Sequence, residues 1–156
     1  MADYTSQPFW NLSSPGFQKR VVKNFFGIYS ECRWDKYQKT LNNEVNFSGI
    51  GLHSGAKVDV TLVPANSNSG IVFKRTDLEK DNEIVANFKN VSSAKLCTKI
   101  ENNHGVSVST IEHLLAAFYL CGIDNIIVNL NGPEVPIMDG SAKEFVKIIN
   151  EIGLKT

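Results

Sequence analysis

From position 37 onward, apolar and polar residues alternate over short runs, the two-residue period of strands that bury one face. Lys57 to Val63 is the clearest run, with Val58, Val60 and Leu62 on one side and Lys57, Asp59 and Thr61 on the other. The same reading predicts strands over Gln38 to Asn46, Ile71 to Arg75, Lys95 to Glu101, Val106 to Val108 and Asn125 to Leu130. Turn chemistry separates them: Asn66-Ser67-Asn68-Ser69-Gly70 precedes one strand, and Asn102-Asn103-His104-Gly105 forms a hairpin tip. Prolines at 133 and 136 argue for an edge strand or a loop over Gly132 to Ile137. Ser109-Thr110-Ile111-Glu112 and Ser141-Ala142-Lys143-Glu144 both match the S-x-x-E capping box and predict two helix starts, with Gly122 and Gly153 placed as stops. Strands with two cap-defined helices predict an α+β fold, a two-layer sandwich of a mixed, largely antiparallel sheet against two main helices.

Residues 1–37 have a different texture and are expected to be an amino-terminal extension to a domain over 38–156. Phe17, Val21, Val22, Phe25, Ile28 and Tyr29 fall on one face at helical spacing, with Lys19, Arg20 and Lys23 largely off it. Two readings stand: an amphipathic helix that docks on a partner or a membrane surface, or a partly disordered extension that folds back or frays.

Composition narrows the function classes. Lys plus Arg and Asp plus Glu are 16 each, so there is no general positive field to gather nucleic acid. The three cysteines, Cys32, Cys97 and Cys121, form no C-x-x-C pair, which fits a reducing cytosol better than a disulfide framework. No apolar run is long enough for a transmembrane segment, and the start of the chain lacks the layout of a secretory signal.

Imidazole chemistry can come only from His53, His104 and His113. His113 follows Glu112 in the first turn of a predicted helix, where adjacent side chains point about 100° apart. One can ligate a metal while the other reaches the metal-bound water, the pairing a metallohydrolase needs. The local pattern equally accommodates Glu112 as the capping-box carboxylate and His113 as a partly buried helix residue. This is no H-E-x-x-H helix, since position 117 is Ala. His104 reads as a solvated turn residue, and Asp139 as a turn residue before the second helix. The loop Gly49-Ile50-Gly51-Leu52-His53-Ser54-Gly55 has G-x-G-x-x-x-G spacing and leads into a strand, which excludes the dinucleotide fingerprint.

Four segments in order resemble the signatures of the UDP-3-O-acyl-N-acetylglucosamine deacetylase family. They are Ser48 to Gly55, Gly70 to Leu78, Val108 to Leu114 and Gly132 to Ser141, and the resemblance runs from about Gln38 to Gly153. It implies one of two similar domains with a fold like domain 2 of ribosomal protein S5, and an active site between the domains. It implies Glu112 as general base, His113 as one of three protein ligands of a Zn2+ ion, His53 near the substrate, and Leu96 and Cys97 on a strand lining the reaction site. The implied reaction is hydrolysis of the 2-acetamido group of UDP-3-O-acyl-N-acetylglucosamine in the cytoplasm, the committed step of lipid A biosynthesis in Gram-negative bacteria.

The family's other zinc ligands lie in an H-x-x-x-D helix of the second domain, and its general acid is a second-domain histidine. Positions 57, 108 and 117, four after each histidine, are Lys, Val and Ala. The Zn2+ site within these residues is therefore expected to be incomplete, and the chain alone inactive. Three relations to the family are open: a truncated or separately expressed first domain, one subunit of a split deacetylase completed in trans by a second domain, or a non-catalytic binding protein that kept the fold. An exposed apolar surface is expected in the first two cases.

Overall fold

The computed structural model describes residues 20–23, 29–32 and 37–156. The chain divides into two compact units, Met1–Lys36 and Tyr37–Thr156. In the first, β1 (Arg20–Lys23) pairs antiparallel with β2 (Tyr29–Cys32). These strands stand where the helical spacing suggested an amphipathic helix; adjacent β-branched Val21 and Val22 favour the extended backbone. The rest of that expected helix lies outside the described residues.

The second unit is built on a five-stranded mixed sheet in the order β4 (Val45–Ile50), β5 (Lys57–Pro64), β11 (Ile126–Leu130), β6 (Ile71–Arg75) and β7 (Glu83–Val85). Only the β11–β6 pair is parallel. A second sheet has the antiparallel order β10 (Ser107–Ser109), β9 (Lys99–Glu101), β8 (Val91–Ser93). Short strands β3 (Thr40–Leu41) and β12 (Leu154–Lys155) pair with each other. The expected strand over Gln38 to Asn46 is thus two strands. Asn42 breaks it, donating its N–H to Gly153 O at 3.0 Å and its side-chain amide to Ile152 O at 3.3 Å.

The two α-helices among the described residues, α1 (Glu112–Cys121) and α2 (Lys143–Ile152), cover one face of the large sheet. The alternation in β5 does what its sequence predicted: Val58, Val60 and Leu62 are buried, beside Ile126, Val128 and Leu130 of β11 and Phe73 of β6. Leu114, Ala117 and Phe118 of α1 and Phe145 and Ile149 of α2 close the core from the other side. Each such large side chain contributes roughly 1.5–3 kcal/mol on burial. Phe145 also meets Phe47 edge-on, ring centroids 5.6 Å apart. The result is the two-layer α+β sandwich expected from the pattern.

Gly122 ends α1 in the left-handed conformation at φ 74°, and Gly153 ends α2 at φ 75°. The capping boxes are not formed. Ser109 sends its hydroxyl to Pro133 O at 3.2 Å, and Glu112 accepts the Thr98 N–H, so α1 has no side-chain cap. At α2, Ser141 Oγ does accept the Lys143 N–H at 3.1 Å, but the Ser141 N–H goes to Asp139 Oδ1 at 3.0 Å rather than to Glu144.

Candidate active site at the start of helix α1

Glu112 and His113 open α1, and both are half-buried. The Glu112 carboxylate lies within reach of the Thr98 N–H, at 3.2 Å from Oε1 and 3.3 Å from Oε2. That bond ties the first turn of α1 to the segment carrying Leu96 and Cys97. The β9 ladder begins at Lys99, just after Thr98, and Leu96 and Cys97 sit in a bend rather than on a strand. Leu96 is 83% exposed and Cys97 half-buried.

His113 is half-buried, and its Nδ1 is buried without a hydrogen-bond partner among the described residues. A buried polar atom left unpaired costs about 1–3 kcal/mol, so it calls for an explanation. A ring nitrogen awaiting a metal or a proton partner is one. Among the described residues, however, no three His, Cys, Asp or Glu side chains group as a metal site would require. His113 fits as a single ligand, and these residues alone do not complete a set of three.

His53 arrives from the glycine loop, its side chain exposed and its backbone held by Glu134. Glu134 carried no role in the sequence reading, yet it is the organising group here. Only 2% exposed, it accepts the His53 N–H (2.9 Å) and the Thr110 hydroxyl (2.9 Å) on Oε1, and the Ser54 N–H (2.8 Å) on Oε2. Two glycines make room for this. A Cβ on Gly51 would lie 2.5 Å from Glu134 Oε2, and one on Gly49 would lie 2.8 Å from Pro136 Cβ. The backbone reinforces the bracket: Ser109 and Val135 exchange bonds with Pro133 and Ser109 at 2.9 and 3.0 Å, and the Ile137 N–H donates to Ile50 O at 3.0 Å.

The second signature segment reaches β10 through Arg75. Its guanidinium forks onto Asp77 at 2.8 and 2.6 Å and donates to Ser107 O of β10 at 3.0 Å. Hydrogen bonding from Arg75 holds the Asp77 carboxyl below the usual range, against a smaller opposing effect of burial. The segments at 48–55, 108–114 and 132–141 thus form one hydrogen-bonded group, and 70–78 bonds to Ser107 just before the third of the four. His104 stays apart at its hairpin tip, 3.6 Å from Asp81 beside an open hollow of about 380 Å³ that contains none of the five predicted site residues.

Burial alone would raise the Glu134 pKa, but the His53 N–H, the Ser54 hydroxyl and N–H, and the Thr110 hydroxyl pull it from 4.5 to about 2. A depressed carboxylate pKa contributes stability that is fully present above the unfolded value and is lost as pH falls through the folded one. The window runs from about pH 4.5 down to about 2, and the contribution is about 3 kcal/mol. Urea unfolding of the chain across that window is expected to lose stability more steeply than Glu134→Gln does; parallel pH profiles would contradict this assignment.

Residues 38–156 match the family of UDP-3-O-acyl N-acetylglycosamine deacetylases. The chain belongs to that family. Among curated relatives it is 55% identical over 120 residues to the UDP-3-O-acyl-N-acetylglucosamine deacetylase of Geotalea uraniireducens, covering 77% of this chain and 39% of that protein. It is 52% identical over 119 residues to the deacetylase of the same name from Blochmanniella floridana, covering 76% of this chain and 40% of that one. The chain therefore spans about two fifths of the length of the deacetylases it matches. As a member of the deacetylase family it shows no described helix long and apolar enough to cross a membrane.

Proposed function

We propose that this chain supplies the general base and one zinc ligand of a UDP-3-O-acyl-N-acetylglucosamine deacetylase, an amidohydrolase of lipid A biosynthesis acting in the cytoplasm. The observation that carries this reading is the pairing at the start of α1: Glu112 fixed by the Thr98 N–H, beside a His113 whose Nδ1 is buried and unpartnered. Zn2+, when bound, would polarise the acetamide carbonyl and acidify a water. His113 would hold it together with ligands from outside residues 37–156. Glu112 would take a proton from the attacking water, its carboxylate kept in place by a bond that leaves lone pairs free. His53, on an anchored glycine loop, and Leu96 with Cys97, in the bend beside Glu112, would contact the substrate.

An exposed apolar side chain beside the Glu112 anchor supports a site completed by further protein. Leu96 is 83% exposed in the bend next to Thr98, where the Glu112 carboxylate is anchored and further protein would cover it. That favours a deacetylase domain, or a split subunit completed in trans, over a stand-alone binding protein.

The test is a chimera in which residues of this chain replace the 120 matched residues of the Geotalea uraniireducens deacetylase. It is expected to release acetate from UDP-3-O-acyl-N-acetylglucosamine and to lose that activity on chelation, with recovery on adding zinc. A folded chimera without acetate release would refute the reading.

A further inference from the structure

We propose that Glu134 is a positioning residue that locks the glycine loop carrying His53 to the start of the helix carrying Glu112 and His113. The proposal deepens the functional reading above, on which its catalytic part rests; the coupling between the two segments does not depend on it. One carboxylate joins them directly, with the His53 and Ser54 N–H groups on the loop side and the Thr110 hydroxyl on the helix side.

The helix side is held in a conformation that needs a restraint. Thr110 is 2% exposed and sits at φ 59°, in the left-handed region that a β-branched residue rarely adopts. It lies two residues before Glu112, so its backbone sets the direction in which α1 departs. Such strain persists only where surrounding bonds over-determine it, and it gathers at sites of function. Glu134 provides one such bond to the strained residue itself, while Val135 and Pro133 bond the backbone of Ser109 beside it.

The loop side is built for a carboxylate in the same way. Two successive N–H groups converge on Glu134, one to each oxygen, and Gly51 leaves no space for a Cβ in front of it. A glutamine at 134 with its oxygen at the Oε1 position would keep the His53 N–H and the Thr110 hydroxyl but turn its NH2 toward the Ser54 N–H, and the flipped amide would face the His53 N–H instead, so one of the two loop amides must lose its acceptor. The tie between the loop carrying His53 and the helix carrying Glu112 would then be weakened at the loop end.

The experiment has two readouts. In the 156-residue chain, amide hydrogen exchange by NMR compares the parent with E134Q, T110V and the double variant. Loss of a charge-assisted bond is expected to speed exchange at one or both of His53 and Ser54 in E134Q by roughly tenfold or more, with β5 and β11 still protected. T110V is expected to shift the amide resonances of residues 111–113 and to speed the same loop amides, and the double variant to add little to E134Q, since both remove one linkage. T110S, which keeps the hydroxyl, is expected to retain the parent's exchange rates. Unchanged loop amides in E134Q, or additive effects in the double variant, would overturn the coupling. If E134Q fails to fold, T110V and T110S decide it alone.

In the chimera, E134Q is expected to lower kcat by about ten- to hundredfold with a smaller change in KM, as misplacement of reacting groups does. An unchanged kcat with freed loop amides would overturn the positioning role while leaving the deacetylase reading intact. An inactive parent chimera would instead count against the deacetylase reading, and the exchange data would still decide the coupling.

Discussion

Replacing Glu112 with Gln in the chimeric enzyme is expected to lower the rate of acetamide hydrolysis by about 10²–10⁴-fold, the range a positioned general base supplies. The substitution suits the question because it separates charge from structure. Glutamine keeps a carbonyl oxygen for the Thr98 N–H, which the carboxylate meets at 3.2 and 3.3 Å, so the tie between α1 and the Leu96–Cys97 bend survives. What it removes is the ability to take a proton. The simpler role for Glu112, a helix cap, fails on geometry: it makes no reciprocal bond with Ser109, and α1 has no side-chain cap. Steady-state kinetics with a thermal melt of the same sample checks the prediction. A variant that melts like the parent and turns over at the parental rate would show that Glu112 serves packing alone.

The parts of this fold that were legible in the sequence are those fixed by neighbours along the chain. The alternation of Val58, Val60 and Leu62 needs only the pleat of one strand, and each residue is buried. Gly122 stops α1 through its own backbone, and the Asn102 to Gly105 tip closes through the Asn102 side chain and a bond from the Gly105 N–H to Asn102 O at 3.1 Å. What escaped was set by partners distant in sequence. The S-x-x-E pattern at Ser109 predicted a local cap, but Pro133 draws off the serine and Thr98 draws off the glutamate. Leu96 and Cys97 were expected on a strand and lie in a bend two residues before it.

Glu134 is the instructive omission. Its partners are 81, 80 and 24 residues away, so no local period could announce it. The only local hint was a carboxylate among Pro133, Val135 and Pro136, an apolar setting in which a charge must find donors. For the site itself, the Glu112–His113 pair was visible as a dipeptide but ambiguous in role. The family resemblance supplied the roles, and the structure added two physical facts: the bond from Thr98 and the unpaired Nδ1 of His113.

That unpaired nitrogen leads to the second large effect expected, the loss of zinc on replacing His113 with Ala. Changing outer partners of a zinc site commonly weakens the metal by about 10–100-fold, and removing one of three protein ligands should exceed that. Because Nδ1 has no described partner, the variant breaks no described hydrogen bond of the fold, and Leu114, Ala117 and Phe118 still anchor α1 in the core. The decisive measurement is zinc stoichiometry by equilibrium dialysis of the chimera, its His113→Ala variant and the 156-residue chain. The half-site account predicts one tightly held zinc in the chimera, and none held tightly by the variant or by the chain alone. Stoichiometric zinc retained by the variant would remove His113 from the site, and stoichiometric tight zinc in the chain alone would contradict a site completed from outside it.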